Sequence, residues 1–383
     1  MPEEARTMQL GYCTNVHPGM TLDELVAQLD LHAVEVRSHL DLDMLPVGLW
    51  LPARLVESVD AGDLGSRLAD RGLDVFTLNA FPYGDFHGKR VKKDVYAPDW
   101  STPERVGYTL GCARILTSLR GSRTSAGLST LPLGWGADMD AGRLEAACTN
   151  LLELVESLAD LESETGCRIH VDLEPEPGCA LGTMDDLVTC FEERLLGQGR
   201  DELVRRHLGA CVDLCHAAVM FEDLEIILAR LQTLGIPIGK VQVSNAIEVD
   251  FDSMDETRRR EAAGVLATFD EPRWMHQVVI RRDGELKFYE DLGDALKEEQ
   301  VGCWRVHFHV PVNVPTLGSI GTTRERLIQD LRLLSTKGDV ENWEVETYAW
   351  DALPEDRRAS TLARSIADEL NWTREQLAGK VDP

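Results

Sequence analysis

Short apolar, β-branched runs alternate along this chain with longer segments whose apolar residues recur at helical spacing. That alternation predicts repeated strand–helix units around a parallel sheet. Strands are expected at 9–15, 33–37, 75–80, 127–133, 168–174, 208–214, 239–245, 304–310 and 342–348. Helices are expected at 21–30, 53–70, 103–119, 141–164, 183–196, 221–233, 322–335 and 354–370. Thr21, Ser101 or Thr102, and Thr183 stand where side-chain oxygens can cap free amides, and acidic residues follow them in the first turn. Thr322 and Glu325 have the spacing of a capping box. The fold class predicted is α/β, a (β/α)8 TIM barrel.

A barrel of this kind closes with eight strands, so one of the nine candidates must lie outside it. The segment 246–303 is the expected source of the surplus. It carries a charged helical stretch, Met254 to Leu266, and then two alternating runs joined through Asp283-Gly284, a hairpin signal. The expectation is one elaborated barrel domain over 1–383, with an inserted helix and β-hairpin decoration around 246–303. No repeat, low-complexity tract or Pro/Ser-rich linker divides it.

Composition narrows the functional classes. Asp and Glu outnumber Lys and Arg by 66 to 39, a formal net charge of −27. A nucleic-acid binder needs the opposite balance to displace phosphate counterions, so no nucleic-acid partner is expected. The local exception is Lys89-Arg90-Val91-Lys92-Lys93. No run approaches the apolar length that spans a bilayer, and no membrane insertion is expected. The start, Met-Pro-Glu-Glu-Ala-Arg, lacks a basic segment followed by an apolar one. Nine cysteines without CxxC spacing read as small buried hydrophobes in a reducing cytoplasm. Oligomeric state is left open by the sequence.

The chemistry is concentrated at strand ends. Arg168 to Leu173 runs into Glu174, followed by Pro175-Glu176-Pro177; the next run ends in Asp213-Leu214-Cys215-His216; later runs carry His307-Phe308-His309 and Glu344-Val345-Glu346. Alternate residues of a strand share a face, and ionisable groups facing a barrel interior are costly unless paired or bound to metal. They belong at the C-terminal mouth. Taken singly, Glu174 could be a salt-bridge partner and His216 a satisfied core histidine. Together, oxygen and imidazole donors on separate strands predict one divalent-metal site. The long aromatic loop after Asn79, Phe81 to Gly88 and on to Trp100, is expected to wall it. There is no Gly-x-x-x-x-Gly-Lys loop and no Gly-x-Ser-x-Gly elbow.

Several blocks carry a resemblance. They are Tyr12-Cys13-Thr14-Asn15-Val16-His17-Pro18-Gly19, Phe81 to Gly88, Tyr96-Ala97-Pro98-Asp99-Trp100, Ser129 to Trp135, Leu173 to Pro177, Asp213 to His216, Val241 to Ser244, and His307 to Pro311. On them the chain resembles the xylose-isomerase-like TIM-barrel superfamily of sugar isomerases, epimerases and endonuclease IV, and more closely the EboE-type metabolite-traffic proteins. The resemblance implies metal ligands Glu174, Asp213, His309 and Glu346, with His216 beside them. It departs at Gln242: if 239–245 is the seventh strand, Gln242 stands where the superfamily often has histidine, and His309 must reach in from an insertion. If 304–310 is the seventh strand, the earlier order needs revision.

The function expected is a metal-dependent isomerase or epimerase acting on a small polyhydroxylated or carbonyl metabolite, in a metabolite synthesis or export pathway. Glu174 and Glu346 are the expected catalytic residues, exchanging a proton as acid and base. Asn79, His87, Trp135, Gln242 and His307 are expected to contact substrate, and the cofactor is a divalent metal (Mn, Zn, Mg or Fe). The alternatives are a non-catalytic metabolite binder on the same fold and, more remotely, a phosphodiesterase of the endonuclease IV type, which the charge balance disfavours.

Overall fold

The computed structural model describes residues 8–85, 87–88, 91–347, 353 and 361–379. Seven parallel strands come first: β1 (Gln9–Cys13), β2 (Leu45–Trp50), β3 (Leu73–Asn79), β4 (Ser125–Thr130), β5 (Arg168–Leu173), β6 (Leu208–Asp213) and β7 (Ile238–Val243). Six further strands follow: β8 (Asn245–Asp250), β9 (Val278–Arg282), β10 (Glu285–Tyr289), β11 (Cys303–Val310), β12 (Thr316–Leu317) and β13 (Ile320–Thr322). The last is β14 (Asn342–Val345). β14 pairs with β7 and β1, closing an eight-stranded barrel in the order β1-β14-β7-β6-β5-β4-β3-β2. With helices between successive strands, this is a (β/α)8 barrel.

The surplus strand is thereby identified. The run 239–245 is the seventh barrel strand, and 304–310 belongs to a separate six-stranded sheet in the order β10-β9-β11-β8-β13-β12. The expected hairpin is present as β9 and β10, with Asp283 and Gly284 both at positive φ in the turn. The second sheet draws strands from Asn245 to Thr322, beyond the segment 246–303 on both sides.

Three sequence expectations are corrected. Residues 33–37 are helical, within the continuous helical run Leu22–His39. Leu25, Leu29, Ala33 and Val36 are all buried, so the apolar period there is that of a helix face. The real second strand, Leu45–Trp50, was hidden by Pro46 and Gly48, residues that weaken a strand signal. The helix expected at 53–70 is two, Ala53–Val56 and Ala61–Ala69. Thr21 forms the capping box with Glu24 and Thr183 caps its helix. Thr322 does not form one with Glu325: the cap position is Thr323, without a side-chain cap bond, because Thr322 donates to Val314 and Thr323 donates to Asn245. The C-terminal helix is Leu362–Leu377; residues 354–360 of the expected helix lie outside the described residues, as do Lys89 and Arg90.

A large apolar core fills the space between barrel and helices, and a second one, including Phe251, Phe269, Trp304 and Phe308, lies under the second sheet. The barrel's interior is unusually polar. Lys240 and Glu344 form a fully buried ion pair at 2.6 Å, and His170 contacts Asp172 at 2.9 Å. Glycines make the room. A Cβ on Gly48 would fall 1.3 Å from Glu344 Oε1, and one on Gly239 would fall 2.1–2.3 Å from the Asp172 carboxylate. Gly239→Ala is therefore expected to cost about 1–3 kcal/mol through overpacking. A urea midpoint equal to that of the parent would contradict this account of the interior.

Candidate active site

The strand ends deliver the carboxylates to the C-terminal mouth. Glu174 follows β5 and its amide donates to Thr130 O at 3.0 Å; Glu346 follows β14 and its amide donates to Val243 O at 3.1 Å. Asp213 ends β6 and caps the helix Leu214–Val219, its Oδ1 accepting from the His216 amide at 2.9 Å. That cap explains the Asp-x-x-His spacing: one side chain starts the helix, and its first turn aims the imidazole back over the mouth. Ser244 Oγ also donates to Asp213 Oδ1 at 2.8 Å. The other carboxylate oxygen, Oδ2, is buried and has no hydrogen-bond partner.

The remaining imidazoles descend from above. β11 is buried on both faces: Val306, Phe308 and Val310 face the second core, while His307 and His309 alternate with them. Glu174, Asp213 and Glu346 offer oxygens within 4.8 Å of one another, and an oxygen of Asp213 and ring nitrogens of His216 and His309 lie within the same distance of one another. His307 Nε2 lies 3.1 Å from both His216 Nε2 and His309 Nε2.

Burial and crowding of like charge shape the titrations. Burial, reinforced by Asp213, pushes Glu174 up to about 7. Glu346 is driven well above the carboxylate range by burial, then by Glu174 and Asp213. Burial also acts against ionised Asp213, but His216 and His309 outweigh it and hold its pKa below the usual value. Burial lowers His309 to about 4 and takes His307 well below the normal imidazole range. Three buried carboxylates this close cannot all be ionised without a cation between them. A divalent metal fits the donors: an orphaned carboxylate oxygen, clustered carboxylates and converging ring nitrogens.

The cleft, enclosing about 550 Å³ with its mouth, is lined by Glu174, Glu346, His216, His307 and His309 and by Asn15, Asn79, Tyr96, Glu176, Trp274 and Met275 among others. Asn79 is thus at the site, its Oδ1 accepting the Phe81 amide at 3.0 Å. His87 is not among the lining residues; its ring contacts Asn15 O at 2.7 Å, from behind the wall. Trp135 packs against Tyr96 with centroids 5.2 Å apart and also stands behind the wall. Gln242 is fully buried, level with Asp213 and Glu344 in the register, and its side-chain nitrogen and oxygen have no partner. His307 sits among imidazoles, its Nδ1 2.7 Å from Gln277 Oε1.

The sequence reading did not single out Asn15, Tyr96, Glu176 or Gln277 as site residues. Asn15 Nδ2 donates to Glu346 Oε1 at 2.6 Å, and Glu176 Oε1 accepts from Tyr96 at 2.7 Å and from Gln277 at 3.2 Å. Glu176 was within reach, being two residues beyond Glu174. Gln277 was not, since nothing local distinguishes it from a hairpin residue. Glu369, buried in the last helix, accepts from Thr347 Oγ1 at 2.6 Å and from the Val312 amide at 3.1 Å. It ties together the segments that follow Glu346 and His309.

No family model matches the chain, and no curated protein matches it. Solved structures do. A D-tagatose 3-epimerase-like protein superposes with a TM-score of 0.50 at 10% identity, covering 97% of this chain and 98% of its own. A xylose isomerase domain containing protein from Salmonella typhimurium LT2 gives 0.48 at 15% identity, covering 99% of both chains. The IolI protein with a bound zinc atom gives 0.48 at 14% identity, covering 97% of this chain and 99% of its own. The structural neighbours of this chain are xylose-isomerase-like TIM barrels, and the likeness is one of fold.

Proposed function

We propose that this barrel is a divalent-metal-dependent isomerase or epimerase acting on a small polyhydroxylated or carbonyl metabolite. The observation that carries the reading is the buried trio Glu174, Asp213 and Glu346, whose oxygens stand within 4.8 Å of one another at the barrel mouth. Those three would hold the ion, with His216 and His309 adjoining. When bound, a divalent ion supplies electrophilic polarisation of a carbonyl and its neighbouring hydroxyl. The chain's own residues supply the rest. Glu174 and Glu346 come from strands on different sides of the mouth, and a carboxylate tuned toward neutrality can take a proton from carbon and return it. Asn15 holds the Glu346 carboxylate in place, while Asn79 and Glu176 offer polar contacts to hydroxyls. Trp274, Met275 and Phe81 give the cleft its apolar wall and keep water out.

The finer assignment is to the EboE-type metabolite-traffic group, on the blocks that resemble it, with a role in the synthesis or export of a small metabolite. A reducing cytoplasm suits nine cysteines that are all free thiols, eight of them buried. Among the described residues no helix is long and apolar enough to cross a membrane.

The test is isotope exchange. Protein loaded with Mn²⁺ is incubated in D₂O with a panel of ketoses, aldoses and their phosphates. Deuterium is expected at the carbon beside the carbonyl of at least one sugar. Saturable sugar binding without any exchange would mean a non-catalytic binder and overturn the proposal.

A further inference from the structure

The barrel has a second opening, at the end opposite the mouth. Gln9, Ser125, Arg168, Ile238 and Asn342, each the first residue of its strand, surround a cavity of about 890 Å³ there. That volume lies in the range of metabolite sites. Layers of branched apolar side chains ordinarily close a barrel's interior. Glycines leave this end open instead. A Cβ on Gly127 would fall 2.1 Å from His170 Cε1, and one on Gly209 would fall 2.4 Å from Asp172 Oδ1. The room admits a histidine–aspartate pair. Asp172 is wholly inaccessible, and among the described residues its side chain has one hydrogen-bond partner, His170. His170 Nδ1 lies 2.9 Å from Oδ1 and 3.0 Å from Oδ2. A carboxylate accepts, so Nδ1 carries a proton and the ring turns Nε2 away from Asp172. His170 is only 7% exposed and lines the cavity, and among the described residues nothing hydrogen-bonds to its Nε2.

Charge points the same way. In a chain of formal net charge −27, Arg123, Arg168, Arg205 and Arg206 all line this one cavity. Three of them already face a carboxylate: Arg123 pairs with Asp74, Arg206 with Glu162, and Arg205 stands 3.8 Å from Asp201. Arg168 pairs with no carboxylate among the described residues. Its Nε donates to Ser125 Oγ at 3.1 Å, which fixes the side chain and leaves both terminal nitrogens uncommitted. Asp339 and Glu341 bring acid charge to the lining, and each is engaged in interactions of its own. Arg168 and His170 are two residues apart on β5, so they project from one face of the strand about 7 Å apart along it. A buried histidine–aspartate pair contributes little to stability that apolar packing would not. Its placement beside an uncompensated arginine has a different use.

We infer that the N-terminal face of the barrel binds a small metabolite by its phosphate or carboxylate group, held between the terminal nitrogens of Arg168 and Nε2 of His170. The planar fork of a guanidinium matches either oxyanion with two parallel hydrogen bonds. Nε2 serves in both of its forms: an imidazolium donates to the oxyanion, and a neutral ring accepts from a hydroxyl of the ligand. Phe76 and Leu231 line the same space and give the ligand's carbon frame an apolar surface. This site needs no metal and does not rest on the proposed reaction at the mouth.

The experiment is equilibrium dialysis of the full-length protein against radiolabelled inorganic phosphate, with ionic strength held constant by sodium chloride and unlabelled succinate as competitor. Saturable binding of one phosphate per chain is expected. Competition by succinate at similar concentration would extend the site to carboxylates, and its failure would restrict the site to phosphate. Arg168→Gln should weaken binding about 10–100-fold, the loss of a charge-assisted hydrogen bond. His170→Gln should weaken it as well, and Glu174→Gln, at the mouth, should bind like the parent. No saturable binding, an affinity unchanged in Arg168→Gln, or binding lost in Glu174→Gln and kept in Arg168→Gln each overturns the inference. If His170→Gln fails to fold, as judged by circular dichroism, Arg168→Gln decides alone, because its side chain is half-buried and gives up a single bond to Ser125.

Discussion

Glu346→Gln is expected to reduce isotope exchange by about 10²–10⁴-fold, the usual contribution of a positioned acid or base. Glutamine keeps the volume of the side chain, and its amide oxygen can still accept from Asn15 Nδ2, which donates to Glu346 Oε1 at 2.6 Å. Under the proposed function, what is lost is the exchangeable proton and an anionic metal donor. Stability should not fall with activity. In the metal-free protein Glu346 is buried beside Glu174 and Asp213, and burial followed by those two carboxylates raises its pKa far above normal. Neutralising it relieves repulsion. Thermal melting at or above the parent value together with lost exchange is the expected pair of results, and Glu174→Gln should behave alike. Full exchange in either variant would refute the acid–base roles.

The second large effect lies one layer below the site. Lys240→Met is expected to destabilise the protein by about 3–5 kcal/mol, because it leaves a buried carboxylate without its partner. Lys240 Nζ stands 2.6 Å from Glu344 Oε2, and both side chains are almost wholly inaccessible. Burial disfavours the ammonium, yet Glu344 more than offsets it and the lysine pKa is raised. Glu344 Oε1 has no hydrogen bond of its own, so nothing else in the barrel would accept the orphaned charge. The double variant Lys240→Met/Glu344→Leu should recover most of the loss, since an apolar pair of similar volume is often as stable as a buried ion pair. Urea denaturation of the parent, the single and the double variant measures both. A single variant as stable as the parent would mean that the pair contributes nothing to the barrel.

The carboxylate half of the site was legible because each residue obeys a local rule. Glu174 is followed by two prolines that stop its strand, Asp213 caps the helix that carries His216, and Glu346 lies just beyond a short apolar run. Each statement needs only a few neighbouring residues. The outer parts of the site obey no such rule. Gln277, Tyr96 and Glu176 meet through hydrogen bonds between residues 80 to 181 positions apart. Gln242 and Trp135, expected at the substrate, are respectively beneath and behind the cleft.

By itself the sequence determined the barrel, through its alternation of strand and helix periods, and the carboxylates at the strand ends, because both are encoded within single elements. It also determined the hairpin at Asp283-Gly284, where two residues of positive φ turn the chain. Only the tertiary structure decided that residues 33–37 are helical, since a five-residue apolar alternation fits either period until the surface it packs on is known. Only the tertiary structure decided, too, that His307 and His309 come from a strand outside the barrel. A second sheet places them over the mouth, and which sheet a strand joins depends on the backbone partners it finds there.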